Sequence, residues 1–214
     1  MAIEAGSGPV PPARRPRLVV LVSGSGSNLQ ALVDASADGR LDADVVAVVS
    51  NRADARGLER ARAAQIDAEV LEPTPEVERA VYDAELADLV ASYEPDLVVL
   101  AGWMRLLTMS FLGRFPDRVV NLHPALPGEL PGTRAIERAW DEAMAGTRTR
   151  TGVMVHLVPD EGVDDGPVLA TVEVPIDTTG SFDEFATLVH RAEHRLLVNA
   201  VDARCRHLRL APTT

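Results

Sequence analysis

Three polar side chains in two short strings of the sequence are suited to acyl transfer. Asn121 and His123 stand two residues apart in VVNLHP, at the end of an apolar run that favours a buried strand. Alternate residues of a strand point to the same face, so the amide and the imidazole reach one place. GVDDGP adds a carboxylate, Asp164, in a glycine-rich turn. An amide can hold a developing oxyanion, an imidazole can move protons, and a carboxylate can keep that imidazole protonated.

Each of these residues also has a structural interpretation. A buried Asn or His needs hydrogen-bond partners in any fold, and a core histidine is the alternative for His123. His156 lies inside the apolar run VMVHLV, so a strand or core histidine is the better interpretation there. The acidic stretch DEGVDDGP lacks the spacing of a calcium-binding loop and is otherwise typical of a solvated turn. A zinc site is not indicated either, because His123 and His156 are single and distant, no HExxH pattern occurs and there is one cysteine.

Strands and helices alternate along most of the chain. Short apolar runs predict strands at 17–23, 43–49, 68–71, 97–101, 119–122, 153–157 and 168–174. Helical spacing predicts helices at 28–37, 57–64, 77–93, 135–145 and 182–203. This order predicts an α/β fold with a mostly parallel twisted sheet, flanked by helices and extended by antiparallel strands near the C-terminus. We expect one domain at 17–204, a disordered tail at 1–16 and a short tail at 205–214.

Two further strings follow predicted strands, at the sheet edge where open parallel sheets bind ligands. In SGSGSN, Gly26, Ser27 and Asn28 open a helix, where backbone N–H groups can cradle a phosphate. The string is neither GxGxxG nor a Walker loop, so a dinucleotide or a nucleoside triphosphate is not indicated there. The alternative is a tight turn with a helix cap. GWMRLL, at 102–107, suits either a flat apolar ligand or ordinary core packing.

The composition argues against nucleic-acid-binding, secreted and membrane-spanning classes of protein. The chain has 214 residues, 46% of them apolar, and a net charge of −11, which argues against a nucleic-acid partner. One cysteine, Cys205, excludes an intrachain disulfide and fits a reducing compartment. No apolar run approaches the roughly 20 residues of a membrane span, and the N-terminus lacks a secretory signal. We therefore expect a cytoplasmic protein without a membrane partner. An exposed edge of the sheet can pair with a second copy of the chain, so a homodimer is one possible oligomeric state.

Taken together, the strings resemble the folate-dependent glycinamide ribonucleotide formyltransferases of purine biosynthesis. The likeness runs from about Arg17 to about Asp202. It is carried by SGSGSNLQAL, SNRADARGLERA, YEPDLVVLAGWMRLL, VVNLHPAL, VHLVPDEGVDDGPVLA and HRAEH. The resemblance implies a Rossmann-like formyltransferase fold, 10-formyltetrahydrofolate as co-substrate, glycinamide ribonucleotide as formyl acceptor, and no metal.

The resemblance also implies roles for individual residues. The implied catalytic residues are Asn121, His123 and Asp164. The implied ribonucleotide-binding residues are Gly26, Ser27, Asn28 and Glu193. The implied folate-binding residues are Arg79, Met104, Arg105, Leu106, Leu107 and Asn121, with Arg79 placed by a weaker local likeness.

The implied reaction is attack of the ribonucleotide amine on the formyl carbon. Asn121 would donate to the oxyanion, and His123, kept cationic by Asp164, would stabilise the oxyanion and protonate the folate leaving group. Aligning the sequence on its Gly-Pro pair selects Asp164 as the catalytic carboxylate, with Asp165 as the fallback.

The chain departs from the family pattern at three places. The stretch PGELPG at 127–132 replaces the usual loop, Arg134 stands where the family commonly has His, and Met154 replaces Ser or Thr. Formyltetrahydrofolate hydrolase is the nearest alternative, but its extra N-terminal domain does not fit the 16 residues before the first predicted strand. The methionyl-tRNA formyltransferases add a C-terminal RNA-binding domain, and from its length and acidic charge we do not expect one in this chain. A folate- or nucleotide-binding protein without activity is the other alternative.

Overall fold

The computed structural model describes residues 14–210, and within them the chain forms seven strands and six helices. The strands are β1 (Arg17–Val22), β2 (Asp44–Ser50), β3 (Asp67–Val70), β4 (Leu97–Leu100), β5 (Val119–His123), β6 (Arg150–Leu157) and β7 (Val168–Pro175). The helices are α1 (Ser27–Ala37), α2 (Arg56–Ala63), α3 (Arg79–Ala91), α4 (Met109–Leu112), α5 (Ala135–Met144) and α6 (Phe182–Leu210).

All seven strands join one sheet in the order β3-β2-β1-β4-β5-β6-β7. The pairs from β3 to β5 are parallel, whereas β6 pairs antiparallel with both β5 and β7. This confirms the predicted fold class, including its antiparallel extension. The carboxyl ends of β1, β4 and β5 are neighbours, so the three strings that follow these strands meet at one edge.

Apolar residues cover both faces of the sheet, which explains the continuous apolar runs of the central strands. Leu18, Val20 and Val22 of β1 belong to the core shared with α1, α5 and α6. Val19 and Leu21 point the opposite way, into the core shared with α3 and α4. The period of two in β1 therefore places successive residues in two separate cores.

The structure changes several predicted boundaries. Helix α4 was not predicted, because four residues are too few to show a helical period. Strand β6 begins three residues before the predicted start at 153, and α6 continues to Leu210 rather than ending at 203. The predicted domain boundary at 204 thus falls inside α6. Cys205 packs in the core, where burial raises its pKa to about 12.

The predicted N-terminal tail is ordered at its last residues. Arg15 donates from its guanidinium to the carbonyl oxygens of Leu41 and Ala43 at 2.8 and 2.9 Å, and Arg14 pairs with Asp96 at 2.6 Å. The rest of the predicted tails, residues 1–13 and 211–214, lies outside the described residues. No helix between residues 14 and 210 has the length and apolar character needed to cross a membrane.

Candidate active site

Asn121 and His123 lie on β5, and the structure brings both to one carboxylate. His123 Nδ1 is 3.3 Å from Asp164 Oδ2, and the Asn121 amide donates to Asp164 Oδ1 at 3.1 Å. The pairing follows from strand geometry, because residues 121 and 123 share a face of β5. His123 is 4% exposed, and Asn121 is half-buried. The structure therefore brings the three predicted catalytic side chains together.

Asp164 is held in place by its backbone as well as by its neighbours. Its φ of +55° is in the left-handed region, which Asp tolerates better than most residues. Oδ2 also accepts the backbone N–H of Gly132 at 2.8 Å. Asp165, the fallback, is exposed and makes no side-chain hydrogen bond or ion pair among residues 14–210. The geometry favours Asp164 over its neighbour.

His156 is a member of this cluster that sequence reasoning missed. It stands opposite Asn121 in the antiparallel β5–β6 pair, and its Nε2 is 3.1 Å from Asn121 Nδ2. His156 Nδ1 is 2.8 Å from the Leu157 carbonyl oxygen, which can only accept. Nδ1 therefore carries the hydrogen, and Nε2 accepts from Asn121. The antiparallel register was the one signal that would have placed His156 here.

The charge of His123 differs from the expectation that Asp164 keeps it cationic. Burial lowers the pKa of His123, and the opposing effects of Asp164 and the Leu130 carbonyl do not restore its usual value. Burial raises the pKa of the Asp164 carboxyl, but His156 and the Gly132 N–H nearby lower it by more. Both pKa shifts favour a neutral His123 beside an ionised Asp164 at neutral pH. The ionised Asp164 carboxylate, 3.3 Å from Nδ1, is the stronger acceptor, so a neutral His123 donates to it from Nδ1. Nε2, 3.0 Å from the Leu130 carbonyl oxygen, is then the basic nitrogen.

A cavity of about 360 Å³ opens beside the triad. Of the residues predicted to bind folate, Met104, Arg105, Leu106, Leu107 and Asn121 line it together with the triad. Met104 and Leu106 are 67% and 46% exposed, which leaves apolar surface free for a ligand. Arg105 stacks 4.9 Å over the Tyr82 ring, which fixes this wall to α3. Arg79 does not line the cavity but pairs with one of its rim residues, Glu161, at 3.2 Å.

The predicted phosphate loop follows β1 and is tightly constrained. Gly26 has a φ of +70°, and a Cβ atom there would stand 2.6 Å from Gly57 Cα, so no other residue fits. Ser27 and Asn28 form the first turn of α1, whose N–H groups are free to bind an anion. Ser23, at the start of the loop, accepts the Met104 N–H at 2.9 Å. The phosphate loop and the cavity wall are thus joined.

Glu193, the remaining predicted ribonucleotide residue, lies on α6 and is 5% exposed. Its carboxylate contacts His190 Nδ1 at 2.6 Å, and this hydrogen bond raises the pKa of His190. Glu193 does not line the cavity beside the triad. The structure places it on the helix that packs along α1, the helix that the phosphate loop opens.

Comparison with known proteins identifies the family. The formyl transferase model matches residues 16–201, most of the chain. The chain belongs to the formyl transferase family. Phosphoribosylglycinamide formyltransferase of Schizosaccharomyces pombe is 46% identical over 196 residues, which cover 86% of this chain and 94% of that protein. The Escherichia coli protein of the same name is 40% identical over 179 residues, covering 84% and 82% respectively.

Solved structures support the same assignment. Glycinamide ribonucleotide transformylase 1 from Symbiobacterium toebii superposes with a TM-score of 0.86 at 36% identity, covering 95% of this chain and 94% of that chain. The corresponding enzyme from Geobacillus kaustophilus gives a TM-score of 0.82 at 35% identity, covering 89% and 99%.

The segment in which this formyl transferase departs from the family pattern supports the triad directly. Within 127–132, the Leu130 carbonyl oxygen lies 3.0 Å from His123 Nε2, and the Gly132 N–H donates to Asp164. Leu130 has a φ of +47°, and its carbonyl accepts from Arg138 at 2.7 Å. Arg134, another departure, lines the cavity with a φ of +58°. Met154, the third, is buried opposite His123 in the β5–β6 register.

Proposed function

We propose that this chain transfers the formyl group of 10-formyltetrahydrofolate to the amine of glycinamide ribonucleotide, a step of purine biosynthesis. The observation that carries the proposal is the convergence of Asn121, His123 and Asp164 on one wall of an apolar cavity. Membership of the formyl transferase family and the names of its relatives support the same two substrates. Both substrates are small soluble molecules, so the proposal needs no membrane or nucleic acid and assigns the reaction to the cytoplasm.

The folate occupies the cavity beside the triad in this proposal. Met104, Leu106 and Leu107 contact its flat ring system, Arg105 faces its polar edge, and Arg79 meets its charged tail at the rim. The ribonucleotide phosphate binds the N–H groups of Gly26, Ser27 and Asn28 at the start of α1. Glu193 accepts hydrogen bonds from the acceptor substrate. This arrangement points the amine toward β5, where His123 lies.

The proton transfers follow from the charge state of the triad. The amine nitrogen bonds to the formyl carbon, and the carbonyl oxygen becomes an oxyanion. Neutral His123 accepts a proton from the attacking nitrogen at Nε2, and Asp164 Oδ2, 3.3 Å from Nδ1, stabilises the resulting imidazolium. The same proton passes to the folate nitrogen as its bond to the formyl carbon breaks. The products are the formylated ribonucleotide and tetrahydrofolate, with His123 neutral again.

Asn121 supplies the donor for the oxyanion. Its amide is already oriented, because it donates to Asp164 Oδ1 and to His156 Nε2, each at 3.1 Å. The oxyanion takes the hydrogen that His156 accepts in the free protein, so little reorganisation is needed. One such donor contributes on the order of 3 kcal/mol to transition-state stabilisation. His156 is thus a positioning residue that aims the amide.

The deciding experiment follows 10-formyltetrahydrofolate by absorbance, with and without glycinamide ribonucleotide. Release of tetrahydrofolate that depends on the ribonucleotide supports the transferase. Release without it indicates formyltetrahydrofolate hydrolase, and binding of both ligands without release indicates a non-catalytic protein.

A variant tests the assigned roles in the same assay. His123→Ala removes the proton carrier, so we expect at least a roughly 100-fold loss of turnover with folate binding retained. Near-normal turnover by a folded His123→Ala protein would contradict the assignment.

A further inference from the structure

A second cavity lies between α1 and α6 and adjoins the phosphate loop at Ser27, which belongs to the loop and lines the cavity. Its volume is about 790 Å³, within the range of about 300–1,000 Å³ that is usual for ligand pockets. It shares no lining residue with the cavity beside the triad. We name it the arginine groove, because its charged lining consists of Arg40, Arg60, Arg191 and Arg195 with one carboxylate, Asp34. Arg40 is already paired with Asp38 at 2.7 Å, so the positive charge available to an anion comes from the other three arginines. A chain with a net charge of −11 thus concentrates positive charge in one groove.

Two of these arginines stand on α6 without a counter-ion. Arg191 and Arg195 are one helical turn apart, where like charges repel each other. Within residues 14–210, neither has a carboxylate within 4.0 Å, and neither donates a hydrogen bond. Asp34, across the groove, is engaged by the Gln30 amide at 2.8 Å. An anion in the groove would relieve the repulsion between the two guanidinium groups.

Arg60 completes the positive lining from α2. Its Nε donates to the Ser25 carbonyl at 2.8 Å, and Nη1 donates to Gln30 Oε1 at 3.2 Å. Both acceptors are neutral, so they orient the guanidinium without cancelling its charge. The groove also contains His194, whose buried Nε2 has no hydrogen-bond partner within the part of the chain that the structure describes. A buried polar atom of this kind calls for a ligand or a water molecule.

We propose that the arginine groove binds the oligophosphate group of a small ligand, such as a nucleoside di- or triphosphate. Arginine presents a planar fork of donors that matches phosphate oxygens, and several forks around one groove suit linked phosphates better than a single one. No Phe, Tyr or Trp lines the groove and His194 is partly buried, so no broad aromatic surface is offered to a base, and recognition is through the phosphates. The lack of aromatic anchors also makes the groove unlike a protein interface.

The test is titration calorimetry with sodium tripolyphosphate at about 0.15 M ionic strength. Arg191→Gln with Arg195→Gln should weaken binding by at least about tenfold, because it removes two charged donors. The control is Arg56→Gln with Arg62→Gln, which removes the same charge from exposed positions on α2 outside the groove. We expect less than about a twofold change for the control. Unfolding midpoints verify that both double variants fold.

Two further titrations distinguish binding in the groove from binding at the phosphate loop, and test whether the ligand is recognised by its phosphates alone. Tripolyphosphate should still bind at saturating glycinamide ribonucleotide, and ATP and CTP should bind within about threefold of each other because no base is read. The proposal is overturned by the absence of binding up to about 1 mM, or by equal losses in the two double variants. It is also overturned if the ribonucleotide abolishes binding while the groove variant does not change it, since the anion would then occupy the loop.

Discussion

Asparagine at position 164 should slow formyl transfer far more than asparagine at position 165. Asp164→Asn keeps the size of the side chain, and Asn adopts the left-handed backbone at φ +55° as readily as Asp. The substitution therefore changes charge and hydrogen bonding alone. In Asp164, Oδ2 faces the Gly132 N–H and His123, while Oδ1 faces the Asn121 amide. Whichever way an asparagine amide turns, its NH₂ group meets another donor.

The magnitude follows from these contacts. Loss of the charged partner of the His123 imidazolium costs about 1.5–3 kcal/mol, and the opposed donor costs about 1–3 kcal/mol more. A total near 4 kcal/mol corresponds to a fall in kcat/KM of about 10²–10³, at about 1.4 kcal/mol for each factor of ten. Asp165→Asn touches an exposed side chain, and we expect less than about a twofold effect.

The assay is the ribonucleotide-dependent turnover of 10-formyltetrahydrofolate, with thermal unfolding to verify that both variants fold. A larger loss for Asp165→Asn would show that the carboxylate has been misassigned by one residue. A loss below about threefold for Asp164→Asn would refute the proposed stabilisation of the imidazolium.

Three other predictions concern the charge of the site, the phosphate loop and the wall of the cavity. Because burial lowers the pKa of His123, kcat/KM should rise with pH through a midpoint below 6.5 and stay level above it. A midpoint above 7 in the measured pH profile would contradict the proposal that His123 is neutral before the reaction. The lowered pKa also means that the folded protein binds this proton less readily than the unfolded chain does. The contribution of neutral His123 to the free energy of unfolding is therefore complete above pH 6.5 and is lost as the pH falls. Gly26→Ala should raise the KM for the ribonucleotide at least about tenfold, because the added Cβ atom would lie 2.6 Å from a Cα atom of α2. The control is Gly24→Ala, which has open space around the added Cβ atom and should leave this KM unchanged. Asp83 is fully buried on α3, and one of its carboxylate oxygens accepts the Thr108 N–H at 2.6 Å. Asp83→Ala leaves this buried N–H without its acceptor, so it should lower the free energy of unfolding by about 1–3 kcal/mol and raise the KM for folate more than that for the ribonucleotide. Equal changes in both KM values would indicate a general loss of structure.

The period of the apolar residues was sufficient to predict the sheet and most helices. β1, β2, β4 and β5 are buried on both faces, so their apolar runs are continuous and stand out in the sequence. Helix α4 did not stand out, because one turn carries no period. The end of α6 was misplaced because Arg204, Arg206 and Arg209 look like a solvated tail, although Cys205 between them is buried.

The sequence by itself determined which groups are available for chemistry and the strand ends that carry them. Asn121 and His123 share a face by the period of β5, and the positions of the glycines around β1 indicate the phosphate loop. Only the tertiary structure decided how these groups interact. The antiparallel β5–β6 register brings His156 to Asn121, and the 127–132 loop brings Gly132 to Asp164. Burial lowers the pKa of His123 against the opposing effect of Asp164, because desolvation depends on neighbours that are distant along the chain.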